Sequence, residues 1–314
     1  KAFIIKRVGC VPERITVQSW FSVLLQDGVR PYQNQLCNNN RVRSIYFQRK
    51  PLPFHKKELY FTAIDDIYRN KVSEFVFECN KVSGGRIISR LERIYSRIYI
   101  DELQDFAGYD LNVLEALFSS NITIEAVGDP RQSIFSTNDA QKNKQFCRSA
   151  IYGWLLSRKT CGRILIEEHC ECHRCNQSIC DFADKLFPEF PKTISKNEVC
   201  TGHDGVFLVR QRDIVSYGKT FHPSVLRYNV KRDTLGFQAV NIGQIKGKTL
   251  DRVLIFPTKP MLEYLRTADL SRAGDKSRLY VAVTRAKYSA AFVVGNNVAS
   301  GGLPIWDSDG ATGR

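Results

Sequence analysis

Two short apolar runs, residues 97–101 (Arg-Ile-Tyr-Ile-Asp) and 122–127 (Ile-Thr-Ile-Glu-Ala-Val), break without a spacer into polar loops that carry acids. Each run has the length and β-branched content of a buried strand, and residues 109–118 between them carry an apolar period of helical spacing. Strand, helix, strand in that order makes a parallel pair, which delivers the two following loops to one edge of a sheet. Further strands are predicted over 162–166, 205–209, 238–242, 253–257 and 290–294, and helices over 176–187, 261–266 and 277–286. The alternation predicts an α/β chain with two parallel-sheet domains, residues 1–150 and 151–298. Residues 29–95, with a polar turn at 38–40 and prolines at 51 and 53, read as a small helical insertion in the first domain. The Gly-rich, polar segment 299–314 reads as a flexible tail.

Composition narrows the partners. With 43% hydrophobic and 25% charged residues the 314-residue chain is of globular type, and it has no apolar run near the ~18 residues a membrane span needs. A net charge of +14 favours a polyanionic partner, because Lys and Arg gain affinity by neutralising phosphates. That charge leaves DNA, RNA and acidic membrane surfaces open. Ten irregularly spaced cysteines and the lack of a leader at the start point to reduced thiols and a cytoplasmic protein. The chain starts at Lys1 rather than Met, from which an upstream segment is expected.

The chemistry concentrates where the runs break. Tyr99-Ile100-Asp101-Glu102-Leu103-Gln104-Asp105 sets adjacent carboxylates at the end of a strand. There one carboxylate can hold Mg²⁺ while its neighbour orients or deprotonates the water that attacks a phosphoryl group. An acidic helix N-terminus after a strand accounts for the cluster equally well if it is taken alone. The second run ends in Gly128-Asp129-Pro130-Arg131-Gln132-Ser133-Ile134-Phe135, a second polar loop at the same predicted edge.

Together, "DELQD" and "GDPRQSIF" resemble motifs II and III of the UvrD/Rep/PcrA-like superfamily 1 helicases. Four more stretches are similar to that family's motifs in its order. Ile15-Thr16-Val17-Gln18-Ser19-Trp20-Phe21 resembles motif Ib. Cys172-His173-Arg174-Cys175 with the helix after it resembles motif IV, residues 246–253 (Lys-Gly-Lys-Thr-Leu-Asp-Arg-Val) resemble motif V, and residues 279–286 (Leu-Tyr-Val-Ala-Val-Thr-Arg-Ala) resemble motif VI. The resemblance, spanning about residues 14–295, implies two RecA-like domains of a P-loop NTPase helicase core. It also implies a DNA-stimulated ATP hydrolase that moves 3′ to 5′ on single-stranded or partly duplex DNA.

By the same resemblance Asp101 binds Mg²⁺, Glu102 activates the hydrolytic water and Gln132 senses the γ-phosphate of ATP. Arg174 and Arg285 serve as arginine fingers, and Gln104, Asp129, His173 and Gly247 belong to the nucleotide site. Thr16, Gln18, Ser19, Trp20, Phe135, Gln244 and Lys246 face DNA. As residues alone, Arg285 could snorkel or pair with a carboxylate, and Phe135 and Trp20 fit a core as well as a base-stacking platform.

Departures accompany the matches. Cys172 and His173 replace the family's Asn and Tyr, and Thr249 replaces a Glu. The phosphate-binding loop G-x-x-x-x-G-K-[ST] is expected upstream of Lys1, so the chain by itself is expected to be inactive. Residues 243–249 end in Gly-Lys-Thr, but they have one residue too few and precede a predicted strand where a phosphate cradle needs a helix. The short stretch between motifs IV and V predicts a compact member without a large insertion. A non-hydrolysing nucleic-acid-binding or regulatory subunit beside a nuclease, repair or defence partner is the alternative. Cys172 and Cys175, with Cys161 and Cys180 nearby, raise zinc as a minor possibility, against which stands the lack of a second C-x-x-C pair.

Overall fold

The computed structural model describes residues 9–37, 41–48, 60–297 and 301–307. The polar turn at 38–40, the prolines at 51 and 53, and residues 308–314 of the predicted tail lie outside these. The chain forms two compact units, one from residues up to 128 together with 136–165, the other from 129–135 together with 166 onward. The predicted boundary at 150/151 therefore shifts to about 165, and the short segment 129–135 groups with the later unit.

The first unit opens with α1 (Trp20–Val23), capped by the Ser19 hydroxyl, which accepts the Ser22 N–H at 3.2 Å. It continues into a π-helical turn, Leu24–Val29. Gly28 in that turn lies so near α2 (Val72–Val82) that a Cβ would stand 2.7 Å from Val76 Cγ2. Before α2 come the short parallel strands β1 (Ile45–Tyr46) and β2 (Ile67–Tyr68), so the predicted helical insertion is of mixed character. Then follow α3 (Arg86–Ile94), β3 (Arg97–Ile100), α4 (Asp110–Phe118), β4 (Thr123–Ala126) and α5 (Ile151–Thr160). Phe75, Ile87, Leu114, Ile151 and Trp154 are buried together in its core. Each such side chain contributes about 1.5–3 kcal/mol by leaving water.

β3 and β4 pair in parallel, Arg97 opposite Thr123 and Ile100 opposite Ala126. Among the described residues this unit holds two separate two-stranded parallel sheets, and the full parallel-sheet domain predicted for it is not seen.

The second unit has the larger sheet. Short β5 (Glu171–Cys172) and β6 (Ile194–Ser195) pair beside α6 (Gln177–Asp184). After them come β7 (Gly205–Arg210), α7 (Ile214–Phe221), β8 (Ser224–Arg227), β9 (Val240–Asn241), β10 (Leu250–Phe256), α8 (Lys259–Thr267), α9 (Lys276–Thr284), β11 (Ala286–Val294) and β12 (Ile305–Trp306). Six strands pair in parallel in the order β12-β7-β11-β10-β8-β9. β10 and β11 lie at its centre, and their near-continuous apolar runs match burial on both faces.

Three predictions need correction. Residues 162–166 join no sheet, and Leu165 is 93% exposed, since no neighbouring strand among the described residues takes up its backbone. The strand at 238–242 shortens to β9 because Ile242 already begins a 3₁₀ turn, Ile242–Ile245. The predicted tail supplies β12, whose Ile305 and Trp306 pair with Leu208 and Val209. No described helix is long and apolar enough to cross a membrane.

Candidate active site

In the first unit β3 ends at Ile100 and the chain turns sharply through Glu102, which sits in the left-handed region at φ 55°. A non-glycine residue in that region is costly and is kept where its surroundings over-determine it. Here they do. Leu103 N–H donates to the Val127 carbonyl at 3.0 Å and Val127 N–H to the Ile100 carbonyl at 2.8 Å, so the loop is tied to the end of β4. Asp101 is exposed, with one carboxylate oxygen accepting the Glu102 N–H at 2.9 Å. The Glu102 carboxylate accepts from the Gln104 side-chain amide. Gln104 is 2% exposed, and its amide oxygen fits only because residue 128 is glycine, where a Cβ would approach that oxygen to 2.5 Å.

Beneath this edge lies a carboxylate that the sequence did not single out. Asp110, fully buried at the start of α4, accepts from Trp20 Nε1 at 2.6 Å, from Thr137 Oγ1 at 2.5 Å and from the Ser73 hydroxyl. Burial pushes its carboxyl above the ordinary range, against the pull of these hydrogen bonds. Trp20 also packs on Phe106, ring centroids 4.7 Å apart, so its indole is anchored inward. Its neighbours Thr16, Gln18 and Ser19 are exposed. The only hint of Asp110 in the sequence is an acid at the head of an otherwise apolar helix.

In the second unit the segment 129–135 docks by side chains. Asp129 caps the 3₁₀ turn Pro130–Gln132. Its carboxylate accepts from Arg131 Nε at 2.9 Å, from Gln132 Nε2 at 3.0 Å and from the Tyr280 hydroxyl at 3.1 Å. Gln132 Oε1 accepts from the guanidinium of Arg285, which follows α9 and is 2% exposed. Buried Tyr280, desolvated and beside Asp129, keeps its hydroxyl proton to well above the usual range. Asp129, assigned by resemblance to the nucleotide, thus spends its carboxylate on internal partners. Arg285, buried, donates to Gln132, so its guanidinium is turned inward.

Arg174 stands on the same unit. Its Nε donates to Thr249 Oγ1 at 3.0 Å and its Nη1 to the Thr284 carbonyl at 3.1 Å, one residue before Arg285. Thr249, where the family has Glu, is thus taken up by the arginine. His173 is exposed, its ring 4.0 Å from Glu171. Phe135 is 49% exposed, with its ring against Gly243 and Lys246 Nζ 5.7 Å from its centroid, an arrangement between core residue and open platform. Gln244 completes a capping box with Asn241, accepting its N–H at 3.2 Å, so its side chain is engaged locally. Gly247 turns at φ 80° before β10, and the Gly-Lys-Thr at 247–249 leads into a strand, as a phosphate cradle would not.

Among the described residues no group of three or more His, Cys, Asp or Glu is arranged to hold a metal ion, and the ten cysteines are free thiols. Cys172, Cys175 and Cys180 do exchange hydrogen bonds. The bonds from Cys175 and Cys180 hold the Cys172 thiol well below its usual range, while those to Cys172, with burial, push Cys175 up and Cys180 to about 12. Cys175 Sγ also donates to the Thr284 carbonyl, at 3.2 Å.

Residues 24–146 match the model of the UvrD/REP helicase N-terminal domain. That segment contains both DELQD and GDPRQSIF, and the motif-like stretches after it lie outside the match. Among solved structures the chain is similar to a PRRSV helicase, with 20% identity, 65% of this chain and 36% of that one covered, and a TM-score of 0.40. It is also similar to the arterivirus nonstructural protein 10 helicase, with 19% identity, 63% and 39% covered and a TM-score of 0.39. A structure of that helicase with DNA matches at 20% identity, 63% and 39% covered and a TM-score of 0.37. The chain spans little more than a third of the length of these helicases. No curated protein matches it.

Proposed function

We propose that this protein is an ATP-driven motor on single-stranded DNA, a helicase or translocase of the UvrD/Rep type that moves 3′ to 5′. The observation that carries the proposal is the placement of Asp101 and Glu102 at the carboxyl end of β3, inside the helicase-type segment. Bound Mg²⁺ with ATP supplies charge neutralisation on the phosphates. The exposed Asp101 carboxylate suits a cation that is held by one or two carboxylates and keeps most of its waters. Glu102, with one carboxylate oxygen on Gln104, accepts the proton of the attacking water. Gln132 reads the γ-phosphate, and Arg285 and Arg174 bring fixed guanidinium groups to the developing phosphoryl charge. His173 lies where the base of the nucleotide is received. Thr16, Gln18, Ser19 and the Phe135–Lys246 pair meet the DNA strand, to which the net charge of +14 contributes without sequence preference.

The 314 residues contain no G-x-x-x-x-G-K-[ST] loop, so the test uses the natural full-length protein. Hydrolysis of ATP stimulated by single-stranded DNA is expected, and Glu102→Gln is expected to lower turnover at least ~100-fold while leaving DNA binding intact. Turnover unchanged in Glu102→Gln rejects the proposal. DNA binding with no hydrolysis in the unmodified protein favours the non-hydrolysing subunit instead. Partial duplexes with one strand extended at either end read out the polarity.

A further inference from the structure

The Gln132 amide lies between a cation and an anion, and this fixes which way round it points. A guanidinium only donates and a carboxylate only accepts, so Oε1 must face Arg285 and Nε2 must face Asp129. The position of Asp129 is set in turn by Arg131. Arg131 Nε donates to Asp129 Oδ1 at 2.9 Å, while its Nη1 donates to Asp184 Oδ1 and Thr193 Oγ1, both at 3.2 Å. Asp184, at the end of α6, is itself held, accepting the Thr193 N–H at 2.6 Å and the Thr193 hydroxyl at 2.8 Å. The Arg131 guanidinium lies over the Tyr280 ring at 4.9 Å and near the Phe190 ring at 6.0 Å. A planar fork bonded on two edges and stacked on its face has one orientation, which an ammonium in its place would not keep.

We infer that Arg131 is a positioning residue: anchored by Asp184 and Thr193, it orients Asp129, and through Asp129 it aims the Gln132 amide at Arg285. This rests on the proposed role of Gln132 at the nucleotide. The partners of Arg131 are Asp129, Asp184, Thr193 and the Tyr280 ring, and its effect passes through Gln132. The relay joins α6 to the residue after α9 and lies entirely within the second unit.

The test is a double-substitution cycle in the natural full-length protein, reading kcat and KM for ATP in DNA-stimulated hydrolysis together with the melting temperature. Arg131→Met is expected to lower kcat about 10-fold or more with KM nearly unchanged, because a misaimed group weakens the transition state more than ground-state binding. Arg131→Lys is expected to recover little of the loss. In a Gln132→Ala background Arg131→Met is expected to lower kcat no further. Asp184→Asn, which loosens the anchor and keeps the guanidinium, is expected to give an intermediate loss and serves where Arg131→Met does not fold. Wild-type kcat in Arg131→Met, or an undiminished loss in the Gln132→Ala background, overturns the inference. Absence of DNA-stimulated hydrolysis in the unmodified protein instead rejects the motor proposal on which it rests.

Discussion

Gln132 and Arg285 are hydrogen-bonded although 153 residues separate them in sequence. The bond joins the loop after β4 to the end of α9, and the amide of one presents its only acceptor to the guanidinium of the other. If both meet the γ-phosphate, loss of either removes charge stabilisation. Arg285→Ala is expected to lower DNA-stimulated ATP hydrolysis by two orders of magnitude or more. Arg285→Lys, which keeps the charge and loses the fork, is expected to recover only a small part. Steady-state hydrolysis assays decide this, and near-normal turnover in Arg285→Ala would remove Arg285 from the proposed site.

Gly128 gives a separate handle on the acidic edge. A methyl group there would come 2.5 Å from the Gln104 amide oxygen, while the backbone at 128 does not need a positive φ. Gly128→Ala is therefore expected to displace the buried Gln104, release Glu102 and lower kcat about 10-fold, with a lower melting temperature as well, since the methyl also crowds the Leu103 and Gln104 backbone nitrogens. Unaltered kcat in Gly128→Ala would show that the Gln104–Glu102 bond does not support catalysis.

Two buried groups give the stability opposite responses to pH. His203, stacked between Phe207 and Phe221 with centroids 4.0 and 3.9 Å away, is held by burial, and further by Arg252, at about 4 against an ordinary 6.5. As pH falls from about 6.5 to 4 the unfolded chain takes up this proton first, so stability drops, by roughly 3 kcal/mol at most. Asp110 works the other way. Its folded pKa is raised above 3.8, so its contribution is full below that pH and is lost as pH rises through the folded value. Urea midpoints between pH 4.5 and 7.5 are expected to flatten on the acid side in His203→Phe. A full acid loss in that variant would contradict the assignment.

Asp110→Ala is a structural counterpart. It leaves the Trp20 indole, the Ser73 hydroxyl and the Thr137 hydroxyl without their shared acceptor, in a buried place. A loss of about 3 kcal/mol or more in unfolding free energy is expected. Denaturant unfolding followed by Trp fluorescence measures it, and a change under 1 kcal/mol would show that water takes the place of the carboxylate.

The three neighbouring thiols are not equivalent. Hydrogen bonds from Cys175 and Cys180 lower the Cys172 thiol while they raise its neighbours, and thiolate is the reactive form. Brief iodoacetamide treatment at neutral pH, followed by peptide mass mapping, is expected to label Cys172 before Cys175 and Cys180. Equal labelling of the three would contradict this.

The sequence determined strands where apolar residues run on: 205–209, 253–256 and 290–294 lie in β7, β10 and β11, because a parallel strand covered on both faces needs no polar alternation, and 97–100 forms β3 although Arg97 and Tyr99 are exposed. The acids of DELQD and their place at a strand end were legible for the same local reason. α5 and α7 were not foreseen: α5 has no clean apolar stripe, and α7 is only two turns long, with Ile214, Tyr217 and Phe221 on its buried face. β12 exists only because β7 offers an edge to two residues of an otherwise polar segment.

Tertiary structure alone decided the rest. That 129–135 groups with the later unit, that Arg285 meets Gln132, and that Asp110 gathers Trp20, Ser73 and Thr137 depend on contacts between distant stretches of chain. Periodicity reports which face of a segment is buried, through the few residues of one helical turn or strand repeat. It carries no record of which other segment covers that face, and a side-chain hydrogen bond is set by that second segment.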